Sequence, residues 1–146
     1  MYDKSKLPEL IRFARVEAGS TVIDVYPGDG DWTRLFSDVV GPEGRVYSFV
    51  PAEVADFNRA VYGRLKPGGS YVIVDHAAAA GAGTSDAQSL HRIEPASLRA
   101  EVEAAGFVLD AECTILASKD DPHSIKVFDP SIKGKTDRFV YRFVKP

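Results

Sequence analysis

The residues best placed to do chemistry begin with Val22-Ile23-Asp24-Val25-Tyr26-Pro27-Gly28-Asp29-Gly30, an acidic residue within an apolar run that opens into a glycine turn. Glycines at such a turn let the main chain approach a ligand with no Cβ in the way. The helix that follows offers N–H groups at its N-terminus, which suit a pyrophosphate or an amino-acid carboxylate. Asp24 can hold an ammonium group or order the turn through hydrogen bonds. A second set is Asp75-His76, at the end of a later apolar run. There a carboxylate or imidazole can act as general base or orient a substrate, or the pair can simply cap the next loop. His91-Arg92 forms a third set. Its guanidinium can grip an anion with two prongs or pair with Glu94 or Asp86. His123 lies in an aperiodic loop, Ser118 to Lys135, of the long kind that often serves as a lid or binding loop, and it reads as a solvated loop histidine. Cys113, the single cysteine, reads as a small buried apolar residue. It cannot form an internal disulfide, and no Cys/His cluster has zinc-ligand spacing.

These groups need a scaffold, and the hydrophobic pattern supplies one. Leu7 to Val16 reads as a helix with Pro8 in its first turn. Thr21 to Tyr26 reads as a parallel strand covered on both faces. Asp31 to about Val40 reads as a helix with Asp29 or Asp31 as cap, stopped by Gly41-Pro42-Glu43-Gly44. Trp32 and Phe36 on it are expected to pack on the sheet. Arg45 to Val50 is a second strand. Pro51 to Leu65 is mainly helix, with Phe57, Val61 and Leu65 on one face. Tyr71 to Asp75 is a third strand and Ala77 to Asp86 a loop. A helix starts at Glu94-Pro95, carries Leu98, Val102 and Ala105 on its apolar side, and ends at Gly106. Phe107 to Ala117 is a strand with its approach. Arg138 to Val144 is the last strand, with Phe139, Tyr141 and Phe143 on one side and Val140, Arg142 and Val144 on the other. Alternation of this kind implies an α/β fold with a mostly parallel sheet and helices on both faces. The two final strands form an antiparallel pair.

The length of 146 residues fits one domain. A formal net charge of −3 argues against a nucleic-acid surface, which needs a basic face. No run approaches the ~20 apolar residues of a membrane span. The first residues, Met1-Tyr2-Asp3-Lys4, carry no apolar signal core, so a cytoplasmic location is expected.

In this order, the motifs resemble class I S-adenosylmethionine (SAM)-dependent methyltransferases. The run Asp24 to Gly30 resembles their first motif, with Gly28 and Gly30 at its second and third glycines and Tyr26 where the first glycine usually stands. Leu65-Lys66-Pro67-Gly68-Gly69 with Tyr71-Val72-Ile73-Val74-Asp75 resembles the approach to their fifth strand and that strand itself. Ala104-Ala105-Gly106-Phe107 resembles the end of their last helix. The closing run, Val127-Phe128-Asp129-Pro130 through Gly134-Lys135-Thr136-Asp137-Arg138-Phe139, is similar to a bacterial family of predicted methyltransferases. The resemblance implies a Rossmann-like sheet, SAM as cofactor and methyl transfer to a small-molecule substrate. Asp24, Tyr26, Gly28 and Gly30 would then form the cofactor site. Glu53 would stand in for the ribose-binding acid, because the usual position is Val50. Asp75, His76 or His91 would handle the acceptor's proton.

The family's sheet has seven strands in the order 3-2-1-4-5-7-6, whereas five are read here. Strands 3 and 4 have no counterpart, which implies a chain gap or deletion between about Val54 and Phe57, near Ala55 and Asp56. Two strands with crossovers need roughly 40 to 60 residues. A genuine five-strand domain is the alternative. A non-catalytic SAM- or nucleoside-binding module on the same fold remains open. An NAD(P)-dependent oxidoreductase ranks last, because Thr33 stands where its third glycine would be.

Overall fold

The computed structural model describes residues 4–49 and 57–146. The chain divides into two compact units, one of Ser5–Phe57 and one that takes in Lys4 and Asn58–Pro146. Val50, Glu53, Ala55 and Asp56, and with them the expected gap, lie outside the described residues.

The first unit opens with α1, Leu7–Ala14. It stops two residues short of the expected end. Arg15 turns left-handed (φ 57°), and the Val16 N–H reaches back to the Ile11 carbonyl at 3.2 Å, a closure that leaves no further helical turn. A strand–helix–strand unit follows: β1 Thr21–Val25, α2 Asp31–Val40 and β2 Arg45–Phe49. β1 and β2 pair in parallel, from Thr21 opposite Arg45 to Val25 opposite Phe49. A parallel pair needs a crossover, which α2 provides, anchored by Val40 at 2 % exposure. The expectation that β1 is covered on both faces is corrected. Ile23 is 39 % exposed and its register partner Tyr47 is 54 % exposed. One helix covers one face of two strands, and these residues stand on the other.

The second unit holds most of α3, Phe57–Arg64, then β3 Ser70–His76, α4 Pro95–Ala104, β4 Val108–Cys113 and β5 Arg138–Val144. The sheet order is β3-β5-β4. β5 is antiparallel to both neighbours, with Ser70 opposite Val144 on one side and Cys113 opposite Val140 on the other. The expected antiparallel pairing of the last two strands is present, and β5 is also the centre of this sheet. β4 ends at Cys113 rather than Ala117, because the Ala117 N–H closes a turn onto the Thr114 carbonyl at 2.9 Å.

Val102, Phe107 and Phe143 form the core of this unit, with Val61, Tyr62, Tyr71, Ile73 and Tyr141 packed against them. Each such fully buried side chain contributes about 1.5–3 kcal/mol. Phe107 meets Tyr62 edge-on with ring centres 5.0 Å apart. Gly106 closes α4 at φ 106°, and a Cβ there would lie 3.1 Å from the Tyr62 ring. Lys145 Nζ donates to the carbonyls of Tyr62 and Leu65 at 2.9 Å each, which satisfies acceptors left over at the end of α3. Among the described residues no helix is long and apolar enough to cross a membrane.

Candidate functional site

The glycine turn of the first unit is built as a strand-to-helix corner. Gly28 and Gly30 both adopt positive φ, 54° and 77°. The Gly30 N–H closes the turn on the Pro27 carbonyl at 2.8 Å. Gly30 is also the N-cap of α2, which starts with no side-chain cap. Nothing lies within 4 Å of a Cβ built on Gly28, so that side of the turn is open. Asp24 is buried and accepts a hydrogen bond from the Thr33 hydroxyl. It therefore orders the turn from beneath, tying β1 to the first turn of α2. Thr33 Oγ1 also lies 3.3 Å from Ser48 Oγ on β2. Tyr26 holds φ 55° and leaves its side chain 55 % exposed. Arg34 donates to the Asp29 carbonyl at 3.0 Å and to Asp31 at 2.6 Å. Neither Thr33 nor Arg34 was among the expected site residues, although both follow Gly30 within about one helical turn.

In the second unit, Asp75 and His76 end β3. The His76 N–H donates to Asp75 Oδ1 at 2.6 Å. Burial pushes the Asp75 carboxyl up from its ordinary value, and this hydrogen bond opposes the shift. His76 is pushed down to about 4, first by burial and then by the charges of Arg138 and Arg92. It is neutral at neutral pH, and its buried Nδ1 meets no hydrogen-bonding partner among the described residues. His91 is exposed, in a left-handed conformation (φ 56°), with its ring 5.0 Å from that of Phe128.

The Arg92 guanidinium meets neither of the carboxylates expected from sequence proximity. It is fully buried and grips Asp121 with two prongs, at 2.9 and 3.0 Å. Two further donors go to the carbonyls of Ile125 and Ala77, each at 2.9 Å. Burial disfavours the Asp121 carboxylate, but Arg92 and the N–H groups of Asp137 and His123 outweigh it and hold the carboxyl below its ordinary value.

This pair pins the long loop before β5. The His123 N–H donates to Asp121 Oδ1 at 3.0 Å and the Asp137 N–H to Asp121 Oδ2 at 2.6 Å. The His123 ring then meets Asp137, with Nε2 and Oδ2 2.9 Å apart. Contrary to the expectation of a solvated histidine, His123 lines a cleft of about 560 Å³ together with Asp137, Tyr141, Ala77, Ala78 and Pro95. Asp75, His76 and His91 are not among the lining residues. The cleft starts where β3 ends, the edge at which open α/β sheets hold ligands. Sequence reading missed the pair because its members stand 14 positions apart along a loop without periodicity.

No family model and no curated protein matches the chain. Solved structures do. A SAM-dependent methyltransferase from Aquifex aeolicus is 16 % identical, with a TM-score of 0.63 over 97 % of this chain and 94 % of that one. An S-adenosylmethionine-dependent methyltransferase from Mesorhizobium loti is 12 % identical, with a TM-score of 0.59 over 97 % and 98 %. The [4+2]-cyclase SpnF is 14 % identical, with a TM-score of 0.63 over 97 % and 80 %. At these identities the likeness establishes the fold: the chain has the α/β architecture of SAM-dependent methyltransferases.

Proposed function

We propose that this chain is a SAM-dependent methyltransferase acting on a small molecule. The observation that carries the reading is the open corner between β1 and α2, with two positive-φ glycines and no side-chain cap at the helix start. The residues present suit the amino-acid end of SAM: the uncapped helix start presents N–H donors to a carboxylate, and Gly28 keeps the approach clear. Asp24, through Thr33, holds the corner in shape. Tyr26 borders the same turn with half its side chain exposed. Glu53 is the proposed partner of the ribose hydroxyls. SAM when bound supplies a methyl group on a sulfonium, and the chain's task is to orient it and manage the acceptor's proton, with Asp75, His76 and His91 as proposed contributors. Positioning of this kind lowers barriers by up to ~7–11 kcal/mol in favourable cases.

We further propose a single methyltransferase domain shortened between about Val54 and Phe57. Two features support this. Among the described residues the ladders form two sheets, β1-β2 and β3-β5-β4, which correspond to the family's order on either side of its fourth strand. Ile23 and Tyr47 also stand exposed as neighbours, as apolar residues would where an element is lacking.

Calorimetric titration of the protein with SAM and with S-adenosylhomocysteine tests the function. Saturable heat with both is expected, and no saturable heat with either would overturn it. The fold also hosts a protein named for cyclisation. Methyl transfer to an acceptor therefore has to be followed alongside binding.

A further inference from the structure

The cleft at the end of β3 has one apolar wall of small residues, Ala77, Ala78, Pro95 and Ala96, and an aromatic side chain, Tyr141. Its charged lining residues are already engaged. Glu94 accepts the N–H groups of Gly81 and Gly83 at 2.8 Å each. Arg99 donates to Glu103 at 2.9 Å and reaches Glu112 at 4.0 Å. Tyr141 is held protonated by burial and by Glu112, against the opposing charge of Arg99. The remaining polar feature is the His123–Asp137 pair.

That pair is built as an oriented base. His123 occupies a left-handed backbone conformation, φ 60°, which a residue with a Cβ adopts at a cost and which recurs at functional sites. Its N–H is fixed by Asp121, which is itself fixed by buried Arg92. Asp137 is fixed in turn, with Ser118 N–H donating to Oδ1 at 2.8 Å while Oδ2 meets the imidazole. An ionised carboxylate only accepts hydrogen bonds. Nε2 therefore carries the proton in neutral His123, and Nδ1 carries the basic lone pair. A base whose second nitrogen is held by a carboxylate is the arrangement enzymes use to remove a proton.

We propose that this cleft binds an uncharged aromatic compound bearing a hydroxyl group, and that His123, oriented by Asp137, takes the hydroxyl proton. The apolar wall and Tyr141 accept a flat ring. Glu94 and Arg99 are each already bonded within the chain, so the lining offers a ring surface more than a free counter-charge. Among hydroxyl compounds a phenol, near 10, gives up its proton far more readily than an aliphatic alcohol, so it is the class that suits a positioned imidazole base. The O–H bond breaks, the proton passes to Nδ1, and a phenolate faces an imidazolium. On the methyltransferase reading, on which this part rests, the deprotonated oxygen is the nucleophile that a bound sulfonium would methylate. His123 afterwards returns its proton to solvent.

The test is an absorbance titration with 4-nitrophenol and no SAM, run below the pH at which the free compound ionises. Saturable binding with the spectrum of the phenolate is expected. His123→Gln and Asp137→Asn are expected to weaken binding about tenfold or more, as loss of a charge-assisted hydrogen bond does, and to return the spectrum to that of the phenol. In the unmutated protein, nitrogen NMR of the His123 ring should move to the imidazolium position on saturation. That readout stands even if a variant fails to fold. No saturable binding, or a bound spectrum unchanged from the free phenol together with an unmoved ring resonance, would overturn the inference. SAM heat without nitrophenol binding defeats this inference alone. Nitrophenol binding without SAM heat keeps the cleft and removes the methyl step.

Discussion

Arg92 and Asp121 face each other in a two-pronged ion pair with both side chains at 0 % exposure, and this contact joins the loop after β3 to the loop before β5. Removing one partner strands the other charge where water cannot reach it. Arg92→Met is expected to destabilise the protein by roughly 3–5 kcal/mol, measured by chemical denaturation. The double variant Arg92→Met/Asp121→Leu should recover only part of that loss, because it leaves no orphan charge but strands the N–H groups of His123 and Asp137 that Asp121 accepts.

Acid should unfold the protein in two stages. His76 sits at about 4 in the fold and near 6.5 when unfolded. The unfolded chain therefore binds a proton first, and stability falls as pH drops from ~6.5 to about 4. Asp121 is depressed. Its contribution is present above its unfolded value of ~3.9 and is lost as pH falls through the lower folded value. His76→Phe should flatten the first stage and leave the second in place. Unfolding free energy measured across this range checks both.

Asp24 and Thr33 should act together on the glycine corner. Asp24→Ala leaves the Thr33 hydroxyl without its carboxylate and is expected to cost about 1.5–3 kcal/mol. SAM binding should weaken in parallel, because the corner loses the tie beneath it. Thr33→Val should reproduce most of both effects, and the combination should cost less than the sum. Calorimetry and thermal unfolding of the three variants provide the comparison.

At Gly106 a side chain is disfavoured twice, by φ 106° and by the Tyr62 ring 3.1 Å from the position of a Cβ. Gly106→Ala is expected to cost about 1–3 kcal/mol. Adding Tyr62→Leu should relieve the steric part and leave the backbone part. Thermal unfolding separates the two.

Much of this architecture was legible in the residues. α2 spans Asp31–Val40 as its spacing implies, and β5 spans Arg138–Val144 as read, with Val140 and Phe143 buried on opposite faces. Short-range signals did that work: glycine stops, a proline in a first turn and period-two alternation. Of the candidate site, what was legible is local: the glycine turn in the run from Asp24 to Gly30. His123 and Asp137, or Arg92 and its partner 29 residues away, come together through a folded loop whose sequence has no period. For Arg92, proximity in sequence pointed to Glu94 or Asp86. The fold instead spends Glu94 on the N–H groups of Gly81 and Gly83.

The placement of β5 between β3 and β4 has a consequence for synthesis. The middle of this sheet is the strand made last of the three, and among the described residues β3 and β4 pair only with it. While the ribosome is still adding residues 138–144, both earlier strands must wait with their hydrogen-bonding edges open. Nascent chains paused before that point would present two sticky borders, the situation in which chaperones are most needed and neighbouring chains most easily entangle.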